Sequence, residues 1–215
     1  MKTLRSIEVW IVFARTTITR VYKSIQYFMA ASKKWKDIFQ AAENKDSIAV
    51  RYFIEEENVP ANSTNADRQT VAHIAAKNKD LETLKYLVSV DASLLTREDT
   101  LYETVVTILI AHDGFEIIKY LVNERLLDIS QPNRQRFGNT AIHEAAEKNR
   151  LEILKFFIDD KQGDVNILNE FGEPPAFLAA NRCHLRILKY LLIKGANLTA
   201  VDHHNENILY TIARK

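Results

Sequence analysis

The apolar positions from residue 36 onward fall into two alternating blocks. The first is short and usually carries paired alanines: DIFQAAE at 37–43, VAHIAAK at 71–77, VVTILIA at 105–111, AIHEAAE at 141–147 and PAFLAAN at 175–181. The second is more apolar: SIAVRYFI at 47–54, LETLKYLV at 81–88, FEIIKYLV at 115–122, LEILKFFI at 151–158 and LRILKYLL at 185–192. Apolar residues of the second block recur at helical spacing and define one wide buried face. Each pair of blocks therefore predicts helix, tight turn, helix, followed by a loop of roughly a dozen residues. Neither helix can bury its face alone, so neighbouring pairs must stack.

The repeat has a measurable period. The fourth residues of the first blocks, counted from the capping position, are Phe39, His73, Thr107, His143, Phe177 and Tyr210, at spacings of 34, 34, 36, 34 and 33. Thr70, Thr104, Thr140 and Asn207 stand where an N-cap belongs, with a side-chain oxygen for the first unpaired amides of the helix. The histidine three residues on is placed to tie a helix start to the adjoining turn. Paired alanines allow close helix approach, and Gly138, Gly172 and Gly195 supply positive φ in loops.

Thr70-x-x-His73 with Ala75-Ala76 and Leu81-Glu82 resembles an ankyrin repeat. So does Gly138-x-Thr140-x-x-His143 with Ala145-Ala146 and Leu151-Glu152. The loops Gly195-Ala-Asn-Leu-Thr and Gly163-Asp-Val-Asn are similar to the end of that repeat. The resemblance covers residues 35–215. It implies an all-α ankyrin-repeat solenoid with an N-terminal helical cap or extension. Units start near 36, 70, 104, 140 and 174, with a half-unit from 207.

Four departures stand out. Thr107 replaces histidine, and Leu109-Ile110 replaces the alanine pair, which is expected to widen helix spacing. The longest step places extra residues in the loop around Gln131–Phe137. The unit from 174 has Pro174 for the capping hydroxyl, though Pro175 suits a first helical turn. The fingers at 66–69 and 100–103 lack glycine, so distorted turns are expected there.

Composition sharpens this picture. Only 5 Gly and 4 Pro occur in 215 residues, too few for a turn-dense β-sandwich. The single Cys183 cannot form an internal disulfide and fits a reducing, cytoplasmic compartment. The formal charge of +1 gives no reason to expect nucleic acid as a partner. That charge hides a split, because residues 1–34 carry seven basic side chains against Glu8 alone. Leu4, Ile7, Trp10, Ile11, Ala14, Ile18, Val21, Tyr22, Ile25, Phe28 and Met29 in that segment follow helical spacing. Four readings fit it: a cap on the open end of the stack, an amphipathic helix on an anionic membrane surface, a targeting segment, or a docking helix. At the other end, the half-unit stopping at Lys215 is either a natural cap or the point where a longer protein continues.

No catalytic constellation is visible, and no cofactor or metal is expected. Five scattered glycines cannot write a phosphate loop. Cys183 beside His184 falls on repeat turn residues, and His203-His204 lacks companion ligands. The resemblance instead implies a concave groove built of finger tips and first-helix turns. Positions aligned with it are Asp67, Gln69, Lys77 and Asn78, then Leu101, Glu103 and His112. Arg136, Phe137 and Asn139 follow, then Phe171, Glu173, Arg182 and His204. Phe137 and Phe171 are the sharpest candidates: each either packs on the neighbouring finger or contacts a partner. The expected function is that of a monomeric, non-catalytic module binding another protein. The alternatives are the targeting arm of a larger protein, such as an effector delivered into a host cell, and a peripheral membrane adaptor using residues 1–34.

Overall fold

A computed structural model describes residues 34–204 and 206–213, together with the isolated positions Ile18 and Val21. The basic segment 1–34 therefore lies almost entirely outside the described residues, and the four readings of it stay untouched. The described elements are helix pairs: α1 (Ile38–Glu43) with α2 (Ser47–Glu55), and α3 (Val71–Asn78) with α4 (Leu81–Val90). Next come α5 (Val105–Ala111) with α6 (Phe115–Asn123), and α7 (Ala141–Glu147) with α8 (Leu151–Lys155). Helix α8 continues through a π-turn at Phe156–Asp160. Then follow α9 (Pro175–Asn181) with α10 (Leu185–Ile193), and finally α11 (Ile208–Ala213).

First helices pack on first helices in the order α1, α3, α5, α7, α9, α11, and α2 packs on α4 and α6 on α8. Small residues make the inner row possible. Ala41, Ala42, Ala75, Ala76, Ala145, Ala146, Ala179 and Ala180 are all buried. Helix α5 is the exception, because Leu109 and Ile110 occupy the alanine positions and are themselves fully buried. A local concession accommodates them: a Cβ built on Gly114 would lie 2.7 Å from Leu109 Cδ2. Glycine at that turn leaves room for the leucine.

Each loop between helix pairs projects as a finger. Three of them close on single antiparallel bridges, Thr64 to Thr70, Asn133 to Asn139 and Val201 to Asn207. Four of the five fingers share one turn chemistry. Asn65, Asp99, Asn169 and Asp202 each accept two backbone amides, two and four residues on. The distortion expected in the glycine-free fingers is absent. Arg68 and Tyr102 adopt left-handed φ of 59° and 58°, beside 72° at Gly138 and 75° at Gly172. The side-chain oxygen at the base of the finger fixes the turn, and an ordinary residue then bears the modest cost of that φ.

The helix starts are locked to the fingers. The backbone N–H of Thr70 donates to His73 Nδ1 at 3.1 Å. The same ring's Nε2 donates onward to the carbonyls of Arg97 (3.0 Å) and Glu103 (3.2 Å). His143 does likewise: Thr140 N–H reaches its Nδ1 at 3.2 Å, and its Nε2 reaches the Glu173 carbonyl at 3.0 Å. Each imidazole thus joins its own cap to the next finger. An Nδ1 that accepts and an Nε2 that donates require the neutral ring. Burial lowers the pKa of both histidines, that of His143 to about 4.

A pH dependence follows. His143 ionises with a pKa near 6.5 in an unfolded chain and about 4 when folded. Between those values the unfolded state binds more protons, so this group's contribution is complete above pH 6.5 and is lost as pH falls toward 4. Melting curves should show a shallower acid decline for His143→Gln than for the native chain across that window. Parallel slopes would contradict the assignment.

Candidate interaction surface

The finger tips carry an exposed apolar ridge. Leu101 and Tyr102 stand on the second described finger, Phe137 on the third and Phe171 on the fourth. The Phe137 and Phe171 rings lie 4.9 Å apart, tilted by 38°. They nevertheless remain 57% and 37% exposed. The rings therefore pack across adjacent fingers, as the first reading expects, and still present a joint outer face. A backbone bond joins the two fingers, Glu170 N–H donating to the Phe137 carbonyl at 2.9 Å, and the next finger is tied on in the same way by His203 N–H and the Phe171 carbonyl.

Other aligned positions divide sharply. Asp67, Lys77, Leu101, His112, Arg182 and His204 are exposed. Several more turn inward to hold the stack. Asn139 is buried, and its Oδ1 accepts from Asn169 Nδ2 at 2.9 Å. Asn78 Nδ2 donates to the Ala42 and Glu43 carbonyls at the end of α1. Gln69 Nε2 donates to Asp99 Oδ2 at 3.1 Å. Glu173 accepts from Asn169 Nδ2 through its Oε2 at 2.9 Å. Glu103 is half-buried, its carbonyl taken by Asp99 and His73. These residues shape the groove more than they face it.

A charge network starts at Arg136, next to Phe137. Arg136 Nε lies 2.8 Å from Glu144 Oε1, on α7, and Arg136 Nη2 lies 3.8 Å from Glu147. Arg182 reaches Glu147 from the next unit at 2.7 Å. Burial pushes the Glu144 carboxyl up, and the facing Arg136 only partly offsets this. Burial also acts to raise Glu147, but the Arg182 hydrogen bond and the surrounding cations hold it below the ordinary carboxylate range. Sequence reasoning missed Glu144, though a signal existed: it occupies the place of Ile74, Ile108 and Leu178 in the other first helices. The Asn/Asp at the finger bases was missed too, although it stands five residues before the cap in four fingers.

The groups that tempt a catalytic reading are otherwise engaged. Cys183 sits exposed at a left-handed turn with φ 57°, and His184 Nε2 donates to the Glu147 carbonyl at 2.9 Å. Among the described residues, no three His, Cys, Asp or Glu side chains gather as metal ligands, and no helix is long and apolar enough to cross a membrane.

Arg136→Ala strands the Glu144 carboxylate in a nearly dry site. We expect it to cost about 3 kcal/mol of folding stability, with most of that recovered in the Arg136→Ala/Glu144→Leu double variant. Denaturant melts of the three chains check this; a double variant no more stable than the single would refute the pairing.

The same pattern of helices and fingers recurs in known proteins. A family model described as ankyrin repeats (3 copies) matches residues 38–131 and 106–202. Alpha-latrocrustotoxin-Lt1a from Latrodectus tredecimguttatus is 30% identical over 76 residues, which is 35% of this chain but 5% of the toxin. The chain thus spans a small fraction of that relative's length. Among solved structures, the ankyrin repeat domain of Bcl-3, a member of the IkappaB family, aligns at TM-score 0.68 with 18% identity, covering 95% of this chain and 96% of that one. The ankyrin repeat protein EF0377 aligns at TM-score 0.66 with 22% identity, covering 82% and 90%. A chain from the complex of the Bd0816 predatory endopeptidase of Bdellovibrio bacteriovorus with its immunity protein Bd3460 aligns at 0.66 with 20% identity, covering 85% and 93%. With the family model spanning most of its length, this chain belongs to the ankyrin-repeat family.

Proposed function

We propose that this protein is a non-catalytic recognition module that binds a partner protein through its finger tips and concave groove. Ankyrin repeats are generally protein–protein interaction modules, and the family is typically non-catalytic. The observation that carries the reading is the exposed Phe137–Phe171 pair. Solvent-exposed aromatics held rigid by their neighbours lose little entropy on binding and supply large contact area. Leu101 and Tyr102 extend the apolar ridge toward one end, and His204 continues it toward the other. Arg182, Lys77 and Asp67 add polar contacts around it, which suits the polar rim of a standard interface.

Removing the pair tests the reading. Phe137→Ala/Phe171→Ala is expected to weaken partner binding by about thirtyfold, the worth of one hot spot. The melting temperature should fall only by the few degrees that an exposed aromatic contact contributes. The native chain and the double variant are used as paired baits in affinity capture. A protein retained by the first and lost by the second, at equal helical content, supports the ridge as the contact. Equal retention by both baits would overturn it.

A further inference from the structure

The third described helix pair contains a cavity of about 230 Å³, and its origin can be read from the repeat itself. Its wall includes Thr104, Thr107, Asn133, Asn139, Thr140 and Glu144. Thr107 stands where α3 and α7 carry His73 and His143. Those imidazoles fill the space under the next finger and donate to the carbonyl just before the next cap, Glu103 or Glu173. In the third pair the corresponding carbonyl is that of Asn139. Thr107 cannot reach it: its hydroxyl turns back, donating to the Thr104 carbonyl at 3.0 Å and accepting the Thr104 amide at 2.8 Å. The space that the histidine rings occupy in the other units is left open here.

Two further features coincide with that opening. The fingers are otherwise joined by backbone bonds, Thr100 N–H to the Asp67 carbonyl, Glu170 to Phe137 and His203 to Phe171. Among the described residues no such bond joins the second finger to the third, which is longer and carries the 3₁₀ turn Arg134–Arg136. Polar groups are also left over at the wall. Asn133 Nδ2 is buried without a hydrogen-bond partner, and neither carboxylate oxygen of Glu144, 2% exposed, makes a hydrogen bond of good geometry. Arg136 lies beside Glu144 Oε1, and Lys148 and the Asn139 side chain also act on the carboxyl, yet these neighbours do not offset its burial. Buried polar atoms of this kind are rare in folded proteins and call for a partner.

We propose that this cavity is a binding site for a compact cationic heteroaromatic ligand of the imidazolium class. One ring N–H would donate to the Asn139 carbonyl, repeating the contact that His73 and His143 make in their own units. The second N–H would donate to the Glu144 carboxylate, whose burial the present neighbours leave uncompensated. An acceptor substituent on the ring would satisfy Asn133 Nδ2. The site is separate from the finger-tip ridge and does not depend on partner binding.

Imidazole itself is the probe, titrated into the full chain near pH 6, where it is largely cationic. The backbone amides of Thr104, Thr107 and Asn133 should show saturable NMR shifts. Thr107→His, which supplies the ring internally, and Thr107→Phe, which copies Phe39 and Phe177, should each abolish them. Glu144→Gln should weaken affinity about tenfold, the worth of one charge-assisted hydrogen bond. Thiophene, a neutral ring of similar size, should not bind measurably. The proposal is overturned by unsaturable shifts in the native chain, by shifts that persist in both blocked variants, by unchanged affinity in Glu144→Gln, or by equal binding of thiophene.

Discussion

The bond on which the stack depends is the one an imidazole makes in two directions. Each helix pair is too small to bury its apolar face, so its stability resides in the interface with its neighbours. Packing of alanine-rich inner helices is nearly featureless and fixes register poorly. His73 and His143 supply that register. Each accepts from its own cap residue and donates to a carbonyl 24 to 30 residues away. Burial keeps the rings neutral, and neutrality is what lets one nitrogen accept while the other donates.

Where that bond is missing, the neighbouring features change together. Thr107 closes its own cap and goes no further. The adjoining finger is longer, its backbone link to the preceding finger is absent, and a cavity opens beneath it. Leu109 and Ile110 fill the inner helix more fully there, and Gly114 makes room for them. The third pair thus carries bulkier residues at its inner turn and a cavity under its finger. The charged Glu144 lies at the edge of that emptiness, held on one side by Arg136.

The outer surface is built on the same scaffold. Fingers linked by backbone bonds set their tips at a fixed spacing, and this brings Phe137 within 4.9 Å of Phe171. Arg136, Glu144, Glu147 and Arg182 tie α7 to its finger and to the following unit. An aromatic pair packed ring against ring and still exposed gives contact area with little side-chain freedom left to lose on binding.

The sequence by itself determined the helix pairs, their period, their threonine caps and the stacking of units. These follow from local propensity and hydrophobic spacing, which act over a few residues and recur in every copy. It also marked Thr107 and Leu109 as departures. What it left undecided depends on contacts between units. The glycine-free turns at Arg68 and Tyr102 are held by an Asn or Asp at the finger base, a device that outweighs the cost of positive φ. Asn78 and Asn139 look like groove residues along the chain, yet in space they serve neighbouring units. Only the tertiary structure decided that two phenylalanines 34 positions apart form one exposed surface, and that a cavity lies where Thr107 stands in the place of His73 and His143. Both outcomes arise where one repeat meets the next, at distances local spacing does not encode.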